Sequence, residues 1–176
     1  METVDVTRER SLRPQVRQLY REAFPKDERI PWWLLQLNAR RRGVDLTAWV
    51  EDGRLCAMTA SVTTEEMHFL LFFAVTPEKR GQGLGSQILQ ILQTQHLQVV
   101  LNVEPLTEDA PNYDQRLHRF AFYGRNGLYD TGWHVWEVGG MFRVLSTKKQ
   151  LDVPAYKAIF KKLSLGLWDV TLKEAN

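Results

Sequence analysis

Apolar residues along this chain switch between a helical period and a strand-like one, and the switches mark out its elements. A weak alternation over residues 3–6 predicts a short strand. Leu12, Val16, Leu19, Tyr20 and Ala23 then recur at helical spacing, with Arg17 and Arg21 on the other face and Pro25 as the stop. A second helix is predicted to start at Pro31, carry Trp32, Leu35 and Leu37, and end at Gly43. Asp52-Gly53 separates the apolar runs Asp45–Glu51 and Arg54–Thr64, a strong hairpin signal. Met67–Val75 predicts a third long strand.

The pattern continues with a helix over residues 84–95, on Leu84, Ile88, Ile91 and Leu92. His96–Val103 is almost continuously apolar, which predicts a strand buried on both faces. Beyond a polar loop, Tyr113, Leu117, Phe120 and Ala121 make one helical stripe, closed by Asn126-Gly127 as a left-handed cap requires. Leu128–Glu137 and Gly140–Leu145 predict an antiparallel pair. Asp152-Val153-Pro154 then opens a helix whose stripe is Tyr156, Ile159, Phe160 and Leu163. No linker or repeat interrupts the 176 residues, so a single domain is expected, with 147–176 as a C-terminal helical and strand extension.

Composition narrows the function classes. A net charge of +2 is too small to suggest a nucleic-acid partner. Arg40-Arg41-Arg42 reads as a solvated helix terminus. The single cysteine, Cys56, excludes an internal disulfide framework and a cysteine-based metal site, and its apolar surroundings suggest a buried thiol. The N-terminus is charged, and no run approaches the ~20 apolar residues that cross a bilayer. A cytoplasmic protein with no membrane partner and no metal is expected.

Chemistry concentrates where the third strand meets the next helix. Arg80-Gly81-Gln82-Gly83-Leu84-Gly85-Ser86 brings backbone amides, a helix N-terminus and a positive side chain together, the make-up of an anion cradle. A phosphate or pyrophosphate is the expected guest. The spacing fails the dinucleotide pattern G-x-G-x-x-G, and Ser86 follows Gly85 without the lysine of a phosphate-binding G-K-[ST] loop. A plain turn is the alternative, but an arginine has no turn role.

Arg80-x-x-Gly83-x-Gly85 resembles the R/Q-x-x-G-x-G/A acetyl-CoA loop of the GNAT N-acetyltransferases. Phe122-Tyr123-Gly124-Arg125-Asn126-Gly127-Leu128 is similar to the segment that ends that superfamily's second acetyl-CoA helix, with Leu128 in place of phenylalanine. The element order over residues 3–146 matches as well. The resemblance implies an α/β (α+β) GNAT fold: a mixed, largely antiparallel, splayed central sheet with helices on both faces. It implies acetyl-CoA as acyl donor, an amine acceptor, and no metal, and it leaves a homodimer open. A non-catalytic acyl-CoA sensor on the same fold is the alternative, with a structural partner subunit behind it.

Roles follow from the resemblance residue by residue. Backbone groups of Phe73, Ala74 and Val75 would hold the pantetheine arm, and Arg80, Gly81, Gln82, Gly83, Leu84, Gly85 and Ser86 would wrap the pyrophosphate. Tyr123 matches the tyrosine that protonates the departing thiolate, a task suited to a phenol with pKa ~10, against the alternative of an aromatic packing residue. Arg116 and Arg119 stand where many relatives carry asparagine and alanine. They meet the coenzyme's 3′-phosphate or an acidic side chain, with a solvated arginine pair as the equal alternative, and Arg119 is the cofactor candidate. Glu104, at a strand's carboxyl end, is the first candidate for general base, with a merely capping or pairing role as the alternative. Phe24 and Glu28, in the loop between the first two helices, are candidate acceptor contacts. Glu28 is also the second candidate for general base, with surface charge as the competing reading. Asp27, Glu28 and Glu104 hint at a cationic acceptor.

Overall fold

A computed structural model describes residues 1–137, 140–164 and 170–174. Among these, eight strands form a mixed, mostly antiparallel sheet: β1 (Glu2–Asp5), β2 (Val44–Glu51), β3 (Arg54–Thr63), β4 (His68–Val75), β5 (Val99–Val103), β6 (Tyr129–Glu137), β7 (Gly140–Ser146) and β8 (Thr171–Glu174). Five α-helices accompany them: α1 (Arg13–Ala23), α2 (Trp32–Asn38), α3 (Leu84–Gln95), α4 (Tyr113–Arg125) and α5 (Val153–Leu163). The strand order is β1-β2-β3-β4-β5-β7-β6-β8. β4 and β5 run parallel, with His68 opposite Val99 and Phe69 opposite Val100. The chain divides into two compact units, Met1–Thr63 with Leu70–Ile88, and Thr64–Phe69 with Leu89–Asn176.

In the first unit, Val16, Leu19 and Tyr20 of α1 pack with Leu46, Ala48, Met58, Ala60 and Phe72 in one buried cluster. Tyr20 anchors it. Its ring meets Phe72 edge-on at 4.9 Å, and its hydroxyl donates to Ile30 O at 3.1 Å, so the burial leaves no polar atom stranded. The hairpin at Asp52-Gly53 has both residues at positive φ, 50° and 74°, the geometry that matches strand twist.

The second helix is shorter than its predicted span to Gly43. Asn38 closes it by donating from Nδ2 to Leu34 O at 3.1 Å while accepting from Arg41 Nη1 at 2.9 Å. Arg40–Arg42 therefore lie in the turn into β2, beyond the helix. Leu37 and Trp33 are exposed.

In the second unit, Phe69 meets Phe160 at 5.3 Å and Tyr156 at 5.8 Å, which seats α5 beside β4 and β5. Asp152 caps α5 by accepting from Ala155 N at 2.9 Å. The strand predicted from His96 begins only at Val99. The His96 amide still bonds back to Leu92 O, Leu97 is exposed, and the Gln98 side chain is spent on Ser146 Oγ at 2.7 Å.

His68, buried on β4, stacks on His96 with ring centres 4.0 Å apart. Burial, and then the charge of His96, push its pKa down from 6.5 to about 3. The unfolded chain binds a proton there that the folded one refuses. Stability present above pH 6.5 is therefore lost progressively as pH falls toward about 3. Urea unfolding should show this acid loss, and His68→Gln should flatten it. An equally steep acid loss in that variant would assign the effect elsewhere.

Candidate functional site

The glycine loop belongs to the first unit. Pro77–Lys79 form a 3-10 turn after β4, pinned to β2 by the ion pair from Lys79 Nζ to Glu51 Oε2 at 2.8 Å. Gln82 Nε2 donates to Glu78 O at 2.6 Å, and Arg80 Nε donates to Val75 O at 3.1 Å. The second bond engages the Val75 carbonyl, one of the backbone groups expected to face the pantetheine arm. Arg80, Gly81, Gln82 and Gly83 are all exposed.

Gly81 and Gly83 have φ of 73° and 80°, where a side chain is strained, and open space surrounds the place a Cβ would take. Gly85 is different. It is the second residue of α3, outside the set of positive-φ glycines, so backbone geometry does not require it there. A helical glycine costs roughly 1 kcal/mol against alanine. Backbone geometry alone therefore leaves the glycine at this position unexplained. The Gln87 amide makes a bond to Gly83 O at 3.1 Å. The amides of Leu84, Gly85 and Ser86 come before it, at the end a helix leaves without intrahelical acceptors.

Phe24 and Glu28 also lie in the first unit. Phe24 packs on Tyr20 at 5.5 Å and edge-on to Phe72 at 4.9 Å. Glu28 is partly buried, and its amide bonds to Pro25 O at 3.2 Å.

Phe73 and Ala74, on β4, belong to the first unit as well, whereas Tyr123, Glu104 and Arg119 belong to the second. Tyr123 is the buried residue of α4, and its hydroxyl has no hydrogen-bond partner among the described residues. Burial pushes the phenol up to about 12, with the Arg119 charge pulling the other way. The stripe predicted for this helix is rotated: Leu117 and Ala121 are exposed, while Arg116, Phe120 and Tyr123 turn inward.

Glu104 explains the rotation. Arg116 Nη2 reaches its Oε1 at 2.6 Å, and Arg119 Nη1 reaches its Oε2 at 3.0 Å. Arg116 also donates to Asn112 Oδ1 at 2.8 Å and Pro105 O at 3.0 Å. The cluster ties the 104–112 loop to α4, and of the two partners expected for Arg116 and Arg119 it supplies the acidic side chain. A carboxylate engaged at both oxygens is poorly placed to collect a proton. Glu104→Gln is expected to lower the melting temperature by roughly 4–8 °C, the equivalent of ~2 kcal/mol for a chain of this size. Its pH–rate profile should keep the parent's shape. A changed profile with an unchanged melting temperature would restore Glu104 as the base.

Sequence reasoning missed a second polar group, formed by Asn102, Glu137 and Tyr156. The available signal was Asn102 itself, a polar residue in the otherwise buried apolar run of β5.

The family model for the acetyltransferase (GNAT) family matches residues 13–122, a span that contains the whole glycine loop. The chain belongs to the GNAT acetyltransferase family. Solved structures agree on the fold. A GNAT-family protein from Bacteroides thetaiotaomicron is 18% identical, with a TM-score of 0.72 over 96% of this chain and 100% of its own. An aminoglycoside 6′-N-acetyltransferase complexed with coenzyme A is 14% identical, with a TM-score of 0.66 over 83% and 96%. The ribosomal-protein-S18-alanine N-acetyltransferase of Escherichia coli is 15% identical, with a TM-score of 0.57 over 85% and 94%. No curated protein matches the sequence. Among the described residues, no helix of this GNAT chain is long and apolar enough to cross a membrane.

Proposed function

We propose that this GNAT protein transfers the acetyl group of acetyl-CoA to a primary amine of a small molecule or peptide, by direct attack. The observation that carries the reading is the loop Arg80–Ser86, exposed from Arg80 to Gly83. Two of its glycines sit at φ values suited to glycine alone, and a third opens α3 with no backbone need to be glycine. Loop amides and the α3 dipole bind the pyrophosphate, with Arg80 contributing charge. Backbone groups of Phe73, Ala74 and Val75 align the pantetheine arm, and an amide of Phe73 or Val75 polarises the thioester carbonyl. Tyr123 supplies the proton that the departing thiolate takes up. Phe24 and Glu28 serve the acceptor.

The neighbours' acceptors suggest which amines to try first. The test measures thiol release from acetyl-CoA with an aminoglycoside, a polyamine and a peptide with N-terminal alanine. At least one should accelerate release well above the rate without acceptor. Acetyl-CoA binding with no acceleration by any amine would favour the sensor reading instead.

A further inference from the structure

Three elements of the second unit meet in one hydrogen-bonded chain. The Tyr156 hydroxyl, from α5, donates to Asn102 Oδ1 on β5 at 2.9 Å. Asn102 Nδ2 donates in turn to Glu137 Oε1, at the end of β6, at 2.7 Å. The amide has only one sensible orientation here, because reversing it would set its oxygen against a carboxylate. Each bond therefore directs a donor toward Glu137, and such chains strengthen one another.

The environment of Glu137 is unusual for a carboxylate. Tyr156 is fully buried, Glu137 is partly buried, and no described lysine or arginine forms an ion pair with it. Arg143, on β7, is paired with Asp130 instead. Opposite Glu137 in the hairpin stands Gly140, which offers no side chain. Oε2 receives no hydrogen bond from a described residue. Burial raises the carboxyl pKa, and the Asn102 bond works against that rise. The titratable group facing this chain is Tyr156, whose own pKa burial and the Glu137 charge push up.

A partly buried carboxylate without a cation is costly, and a cationic guest removes the cost. We propose that Glu137, held by Asn102 and Tyr156, receives the primary ammonium of the acceptor and takes its proton. This rests on the acetyltransferase reading above and names the base that reading lacks. An N–H bond of the ammonium breaks and the proton passes to a Glu137 oxygen. The electron pair left on nitrogen forms the new C–N bond to the acetyl carbon as the C–S bond breaks. The thiolate so released takes its proton from Tyr123, and the second proton that the nitrogen sheds on becoming an amide returns to the Tyr123 phenolate. Glu137 is then the catalytic residue, and Asn102 and Tyr156 are positioning residues. The C-terminal helix acquires a function through Tyr156.

The test compares the parent, Glu137→Gln and Tyr156→Phe with spermidine, an aminoglycoside and an alanine-leading peptide. It follows kcat/KM for thiol release from about pH 6 to about pH 9, between the ordinary ranges of carboxyls and amines. Glu137→Gln keeps an acceptor for Asn102 but cannot take a proton. It should lose about 10²–10⁴-fold near neutrality, with the deficit shrinking as pH rises. Tyr156→Phe removes the bond that holds the Asn102 amide toward Glu137 and so loosens the one donor that favours the carboxylate. The acid limb should move to higher pH even if the glutamine variant folds poorly. Acetyl-CoA affinity should be the parent's in both variants. A Glu137→Gln profile of parental height and shape, or an unmoved acid limb in Tyr156→Phe, would overturn the assignment. So would a parent that binds acetyl-CoA but gives no faster thiol release with any of the amines. Failure of the parent to bind acetyl-CoA would instead remove the donor reading beneath it.

Discussion

Gly85→Glu is expected to weaken acetyl-CoA binding by about a hundredfold or more, ~3 kcal/mol, while the melting temperature stays near the parent's. The position separates function from folding. Gly85 lies in the first turn of α3, where a glutamate suits the helix dipole and replaces a poor helix former. The same side chain places bulk and negative charge where a pyrophosphate would approach the amides of Leu84, Gly85 and Ser86. Gly83→Glu makes a useful contrast. At φ 80° it adds backbone strain of about 1–2 kcal/mol, so it should lose stability as well as binding. Calorimetric titration of both variants reads the difference. Parental affinity in Gly85→Glu would reduce the loop to a turn.

Tyr123→Phe should lower kcat by about 10²–10⁴-fold and leave acetyl-CoA affinity nearly unchanged. The ring, which is the buried part, is retained, and only the hydroxyl goes. Burial holds that phenol up at about 12, so it carries its proton throughout the neutral range, while the same rise weakens it as an acid toward a thiolate. Arg119, one turn earlier on α4, favours the phenolate left behind. An unchanged kcat would return Tyr123 to a packing role.

The fold was legible because its elements announce themselves by period and punctuation. The Asp52-Gly53 turn, the Pro25 stop, and the Asp152 cap ahead of Pro154 each act through bonds within a few residues. What escaped depends on side-chain contacts that leave no mark in the apolar period. The predicted helix to Gly43 ended at Asn38 because a side chain, not a glycine, closes it. The stripe of α4 was misread because apolar residues were assumed to point inward. Arg116 turns inward instead, since Glu104 waits there to satisfy its guanidinium. Charge complementarity of that kind leaves no periodic trace.

The candidate site divides along the same line. Arg80–Ser86 stands out in the sequence because the chemistry proposed for it would be carried by backbone and lies within one contiguous stretch. Glu104 drew attention by standing at a strand end, yet two arginines fifteen and fewer residues away occupy it. Glu137 drew none. Its environment is made by Asn102, 35 residues earlier, and by Tyr156, 54 residues from Asn102, neither of which is a neighbour in the chain. Asn102 in an apolar strand was the one visible sign that something polar had to be met there.

The central claim is that the loop opening α3 holds acetyl-CoA, and ligand-dependent melting tests it most directly. At a concentration about a hundred times the dissociation constant, binding adds ~2.7 kcal/mol to the folded state, several degrees in melting temperature for a chain of this length. The parent should show that rise with acetyl-CoA, at affinities in the micromolar range common for enzyme substrates, and Gly85→Glu should not. No rise in the parent at millimolar acetyl-CoA would contradict the assignment of the loop and, with it, the donor half of the reaction.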